Sequence, residues 1–280
     1  MRLTSVIVRA RTSVNRPHLA ARLRDRLAPV VVPRWQLAGR MLVDVGRVAE
    51  CRGVTMVQRA SRRILAVGAH PDDVEIGAGA TLLAHRAAGD EVFVLTLSAG
   101  ERGGTAPQRA AESQAAADLL GAQLFLGDLP DTEISAGKVT IDLIEDVIRR
   151  VRPDVVYTHS AHDTHQDHRA VHQAVLVAAR SVATVVSFQS PSTTVEFRPT
   201  RFVDVSAHIR GKLDLLACFA SQHVIRDYLA DDLVMATARY WSRHAAVAYA
   251  EPFEVVRERV DLVTPAHIEA IPAQYTLSAA

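Results

Sequence analysis

The sequence predicts an α/β fold, a Rossmann-like three-layer sandwich built on a mostly parallel sheet. Three observations predict it. Short apolar runs alternate with longer stretches of helical period, the pattern of strand–helix–strand units. The first apolar run, Ile64-Leu65-Ala66-Val67-Gly68-Ala69, is continuous rather than alternating, as in a parallel strand buried on both faces. The 280 residues are 49% hydrophobic, which supplies a sizeable core.

After that first strand, Gly77–Arg86 reads as a helix with Gly89 just past its end, and Gly77 and Gly79 imply a close approach of helix to strand. The same glycines do not make a dinucleotide fingerprint. They follow an acidic loop, G-x-G-x-x-G is incomplete, and the next strand, Glu91–Leu97, lacks a terminal acid for a ribose. A polar, Gly-rich loop, Ser98–Thr105, leads to a helix with Thr105 as N-cap, Pro107 in the first turn and Gly121 after the end. Gln123–Leu126 is a third strand, followed by Gly127-Asp128-Leu129-Pro130-Asp131, where Asp128 reads as a turn residue. Lys138–Val151 is an amphipathic helix. Ile144, Val147, Ile148 and Val151 form its apolar stripe, Glu145 and Arg149 an i,i+4 pair, and Pro153 stops it.

Asp154–Thr158 is the next strand, and a histidine tract follows it. His159, His162, His165 and His168 recur at every third position, with His172 beyond, and spacing alone does not choose among them as metal ligands. The stripe Val171, Ala174, Val175 and Ala178 places His165–His168 at a helix N-terminus. Thr184–Phe188 and Arg201–Val205 are later strands. Ser206 is read as the cap of a helix bearing Ile209, Leu213, Leu216 and Ala220, and a long helix from about Arg226 carries Tyr240 and Trp241 as core or subunit contacts. His223 is read as structural.

Composition excludes several classes. A net charge of +1 argues against a nucleic-acid binder. Two cysteines, Cys51 and Cys218, imply neither a disulfide framework nor a thiolate zinc site, and fit a reduced, cytoplasmic setting. No apolar run approaches the roughly 20 residues that cross a bilayer. Residues 1–59 are a different material, rich in Arg and poor in acids. They read either as sequence upstream of a true start at Met56 or as a targeting segment. Residues 60–260 form the expected catalytic domain, and 261–280 a loose tail.

The chemistry concentrates at His70-Pro71-Asp72-Asp73. In an open α/β sheet, ligands sit beyond the carboxyl ends of the strands, and imidazole with carboxylate is a natural ligand pair for zinc. The run Ala69-His70-Pro71-Asp72-Asp73-Val74-Glu75-Ile76-Gly77 resembles the first signature of the PIG-L/LmbE family of zinc-dependent N-acetylglucosaminyl deacetylases. His165-Gln166-Asp167-His168 is similar to that family's second signature, H-x-D-H, and the similarity runs from about Ile64 to about Glu254. The resemblance implies the PIG-L/LmbE-like deacetylase fold and hydrolysis of an N-acetyl group from an amino sugar or sugar conjugate. It implies one Zn2+ per chain on His70, Asp73 and His168, with an open position for water. It assigns His165 as the catalytic histidine, Asp167 as the carboxylate that orients it, and Arg109 and Asp131 to the sugar. Asp72, next to a ligand and facing the other way, is read as the general base, and a His–carboxylate pair favours the imidazolium. Many relatives hold an Asn where this chain has His162, which bears on the substrate rim. Family members often form homo-oligomers, and the ER-anchored ones carry a membrane span that is not found here. Two alternatives remain at this stage. One is an amidase of a thiol conjugate or specialised metabolite with the same zinc site. The other is a metal- or sugar-binding protein without turnover, which would have no chemical need for Asp72.

Overall fold

A computed structural model describes residues 60–260. The extension at 1–59 and the tail at 261–280 lie outside the described residues. The strands are β1 (Arg63–Gly68), β2 (Glu91–Ser98), β3 (Gln123–Leu129), β4 (Val155–His159), β5 (Thr184–Phe188), β6 (Arg201–Asp204) and β7 (Ala250–Arg257). The helices are α1 (Asp73–Ala87), α2 (Ala106–Leu120), α3 (Lys138–Val151), α4 (Gln166–Ala178), α5 (Ile209–Ala217), α6 (Ala220–His223) and α7 (Asp231–Ser242). None of these helices is long and apolar enough to cross a membrane.

The sheet runs β3-β2-β1-β4-β5-β7-β6. The five strands from β3 to β5 are mutually parallel, and β7 is antiparallel to both β5 and β6. Chain order therefore reverses between β1 and β4, the point at which an open α/β sheet leaves a crevice. Each face of β1 feeds a different core. Leu65 and Val67 pack with Ile144 and Val147 of α3 and Val171 and Val175 of α4. Ile64 and Ala66 pack with Val74, Ala78 and Leu82 of α1 and Leu215 of α5. Burial on both sides is why this strand reads as an unbroken apolar run.

The expected approach of α1 to the sheet is made at Gly77. A Cβ there would lie 2.3 Å from the Phe188 ring, whereas one at Gly79 would have ordinary contacts from 3.4 Å outward. α1 also carries a feature that periodicity does not announce. Lys212 Nζ donates to the carbonyl of Ile76 (2.6 Å) and pairs with Glu251 Oε1 (2.6 Å). The Ala80 and Thr81 amides donate to the two Glu251 oxygens (3.2 and 2.7 Å). A buried ion pair is thus spliced onto the backbone of this continuous helix, with both charges bonded to it.

Several local readings differ from the structure. α1 starts at Asp73 rather than Gly77, because the acidic loop is itself the first turn. Asp128 lies within β3, exposed, and not in a turn. Thr105 occupies the N-cap position of α2 without a side-chain capping bond. Ser206 does not cap α5; its hydroxyl donates to Asp204 Oδ1 (2.6 Å). The long helix from Arg226 is a 3-10 turn, Asp227–Leu229, followed by α7, with extended Ala230 (ψ 133°) between them.

Candidate metal and catalytic site

Three loops meet beyond the carboxyl ends of the strands: 69–73 after β1, 98–105 after β2 and 159–168 after β4. The first is pinned at its root. Ala69 accepts from the Ser98 amide and hydroxyl (2.9 and 3.0 Å) and donates to His159 Nε2 (3.1 Å). Asp72 then adopts the left-handed region (φ 88°, ψ −22°), which aspartate tolerates better than most residues, and such strain collects at functional sites. The turn sends two adjacent carboxylates in different directions. Asp72 Oδ2 faces Arg109 Nη2 at 3.4 Å. Asp73 faces His159 Nε2 at 3.2 Å and His168 Nε2 at 3.3 Å, while its Oδ2 accepts the His70 amide at 2.7 Å.

Three overlapping groups place donor atoms within 4.8 Å of one another: His70, His165 and His168; Asp73, His159 and His168; His70, Asp131 and Asp167. Hydrogen bonding narrows the choice. The lone pair of His159 Nε2 is taken by the Ala69 amide, and that of His165 Nδ1 by the Asp167 amide (3.2 Å). His70 Nε2 lies against Asp167 Oδ2 (3.0 Å) and Asp131 Oδ1 (3.1 Å), and His168 Nδ1 against Asp163 Oδ2 (3.0 Å). The ring nitrogens left over are His70 Nδ1 and His168 Nε2, each 3.3 Å from an Asp73 oxygen. Ligands about 2.0–2.2 Å from a tetrahedral zinc stand about 3.3 Å from one another. Both rings also have a carboxylate behind the second nitrogen, the usual way a metal-binding imidazole is oriented. The donor types, two imidazoles and a carboxylate whose two oxygens each face one ring, suit a metal ion such as zinc.

The ring electrostatics agree. Burial alone would depress His70, but hydrogen bonds to Asp131, Asp167 and Asp73 outweigh it and push its pKa up to about 12. Burial likewise opposes His168, whose carboxylate partners Asp73 and Asp163 raise it to about 9. Asp73 is held well below the carboxylate range, against its burial, chiefly by His168. His159, fully enclosed and beside His168, is pushed down to about 4 and is neutral. Two rings so surrounded by acidic groups have the environment of a cation site.

One expected pairing does not form. The Asp167 carboxylate does not orient His165. Its Oδ2 accepts the Thr132 amide (2.8 Å) and backs His70. His165 is held by the backbone N–H of Asp167, which leaves its proton on Nε2. Burial and the charges of His168 and His70 lower its pKa, so the ring is neutral, not the imidazolium expected from a carboxylate partner. His165 stacks on His168 with ring centroids 4.5 Å apart.

Sequence reasoning left out Asp163, which braces His168, receives the His165 amide (2.8 Å) and is itself held by the hydroxyls of Ser190 and Ser192. The one available signal was a carboxylate inside the histidine tract, two residues before His165. His162 is half-exposed near Glu254. His172 is buried against the His159 carbonyl (2.8 Å), and His223 bonds the Leu216 carbonyl (3.1 Å); both are structural.

The loops enclose a cavity of about 390 Å³, lined among others by His70, Asp72, Asp73, Arg109, Asp131, His165 and His168. The structure thus brings all these predicted residues to one place, with Asp167 behind His70. Burial first, then the charge of Asp73, raises Asp72 to about 7 against the pull of Arg109. Arg109 is buried; its Nη2 donates to the Pro71 carbonyl (2.7 Å), while Nε and Nη1 have no hydrogen-bond acceptor. Asp131 is engaged, its Oδ2 accepting the Arg102 amide (2.9 Å).

Comparison with known proteins follows the same lines. The family model described as GlcNAc-PI de-N-acetylase, PIG-L, matches residues 65–179. An uncharacterized deacetylase of Escherichia coli, YaiS, is 36% identical over 160 residues, covering 54% of this chain and 86% of that one. The 4-oxalmesaconate hydratase of Pseudomonas putida is 27% identical over 208 residues, 64% of this chain and 81% of that one. The crystal structure of a conserved protein from Thermus thermophilus superposes with a TM-score of 0.65 at 27% identity, covering 72% of this chain and 98% of that one.

Proposed function

The chain belongs to the PIG-L family, and from that premise we propose that it is a zinc-dependent hydrolase removing an N-acetyl group from an amino sugar or sugar conjugate. One observation carries the reading. His70 Nδ1 and His168 Nε2 each lie 3.3 Å from one oxygen of Asp73, beside a second carboxylate, Asp72, turned the other way, and this supports the reading.

In this reading His70, Asp73 and His168 hold the zinc, which when bound acidifies a water from a pKa of 15.7 toward about 7 and polarises the amide carbonyl. Asp72 takes the proton of the attacking water. Its raised pKa keeps it basic enough to do so, and Arg109 fixes its position. Neutral His165 donates Nε2–H to the developing oxyanion, an interaction typically worth about 3 kcal/mol. The proton held on Asp72 then goes to the departing amine. Arg109 and Asp131, both on the cavity wall, are the residues read as contacting the sugar.

The test is zinc content and release of free amine from N-acetylglucosamine conjugates. Asp72→Asn is expected to keep its zinc and lose about 10²–10⁴-fold in kcat, and His168→Ala to lose zinc and activity together. Wild-type turnover by Asp72→Asn would remove the base from the account. A second reading, addition of water to a carbon–carbon double bond, is favoured by the named hydratase among the relatives. Both reactions activate water, so a panel that includes unsaturated carboxylates separates them.

A further inference from the structure

We propose that the substrate cleft continues into a second subsite that binds an uncharged, largely apolar aglycone; this rests on the amide-hydrolase reading above. Next to the catalytic cavity lies another of about 260 Å³. Ile76, Pro191 and Tyr228 line both, so the two cavities are immediate neighbours. The catalytic cavity lies near the lower end of the size range of small-molecule sites, and the two together form a cleft for a longer ligand.

The lining sets the chemistry of the occupant. α7 contributes Leu233, Val234, Thr237 and Ala238, and β7 contributes Ala250 and Pro252. Gln189, Ser190 and Thr193 add uncharged polar groups. The charged side chains there, Lys212 and Glu251, are 5% and 2% exposed, lie 2.6 Å apart and bond the backbone of α1. They cancel each other and offer no net charge to an ionic ligand. Leu233 is 48% exposed, an apolar side chain at the wall of a cavity that a ligand would cover. The catalytic pocket differs in kind, with the His and Asp groups and three arginines (Arg102, Arg109 and Arg226) on its walls. One cleft thus offers a polar compartment for an acetamido sugar and an apolar one for what the sugar is attached to.

The experiment compares kcat/KM of the zinc-loaded enzyme for N-acetylglucosamine, its phenyl glycosides in both anomers, and the corresponding N-acetylated disaccharide. Wild type is expected to favour a phenyl glycoside over the free sugar at least tenfold. Thr237→Trp, an exposed position lining only the second cavity, is expected to abolish that advantage while leaving free-sugar turnover, zinc content and Tm unchanged. Leu233→Asp, also exposed, serves as a second variant and should do the same by placing a charge there. Equal turnover of sugar and phenyl glycosides, a gain with the disaccharide alone, or variants that slow all substrates alike would overturn the subsite. If no acetylated sugar is hydrolysed, the functional reading fails separately. Calorimetry then decides the subsite: tenfold tighter binding of a phenyl glycoside, lost in Thr237→Trp, supports it, and equal binding overturns it.

Discussion

His70 uses its two ring nitrogens differently, and that division explains Asp167. One nitrogen faces Asp73; the other lies between Asp131 and Asp167. Removing a carboxylate behind a metal-binding imidazole typically costs about 10–100-fold in metal affinity. Asp167→Asn is therefore expected to weaken zinc binding by about that factor and to regain activity when zinc is added in excess. Were Asp167 acting through His165, excess zinc would not restore the rate, so a zinc titration of activity distinguishes the two. The residues that line the cavity were legible in sequence because most stand in a short motif after an apolar run. The pairing of carboxylates with rings was not. Asp163 and Asp167 sit four residues apart in one tract, and only the folded α4 N-terminus shows that one backs His168 and the other reaches across to His70.

Periodicity located α3 and α4 because a single apolar stripe fixes a helix laid on one face of a sheet. It missed β7. Pro252 falls inside that strand, and proline ordinarily argues against an interior strand, yet β7 lies between β5 and β6. The splice in α1 depends on the same strand, since Glu251 comes from β7 and Lys212 from α5. Breaking one half of a buried ion pair leaves the other charge uncompensated, typically at a cost of about 3–5 kcal/mol. Lys212→Met is expected to lower Tm by about 6–20 °C. Adding Glu251→Gln should recover part of that loss, because the amide oxygen still accepts a backbone N–H of α1 while the stranded charge is gone. Thermal unfolding of the single and double variants measures both effects. A single variant as stable as wild type would show that the pair contributes nothing.

At the level of the whole molecule, the alternation of strand and helix was enough to give a mostly parallel sheet with the site beyond its strand ends; the strand order, and so the crevice between β1 and β4, came only with the fold. It did not give the antiparallel edge, or the second cavity that this edge builds with α7. A ligand that binds only the folded state stabilises it by RT ln(1 + [L]/Kd), about 2.7 kcal/mol at 100 times Kd. Chelation is accordingly expected to lower Tm and abolish turnover, with both restored by zinc; a Tm indifferent to chelator would count against a structural contribution from the cation.

His70 and Asp167 are separated by 97 positions in the chain, yet their side chains touch. A ribosome therefore exposes an imidazole and an acid from the first loop long before the matching imidazole emerges. Two donors grip a cation far less firmly than three. A cation held as proposed by His70, Asp73 and His168 would therefore gain its third ligand only once the fourth strand had docked beside the first.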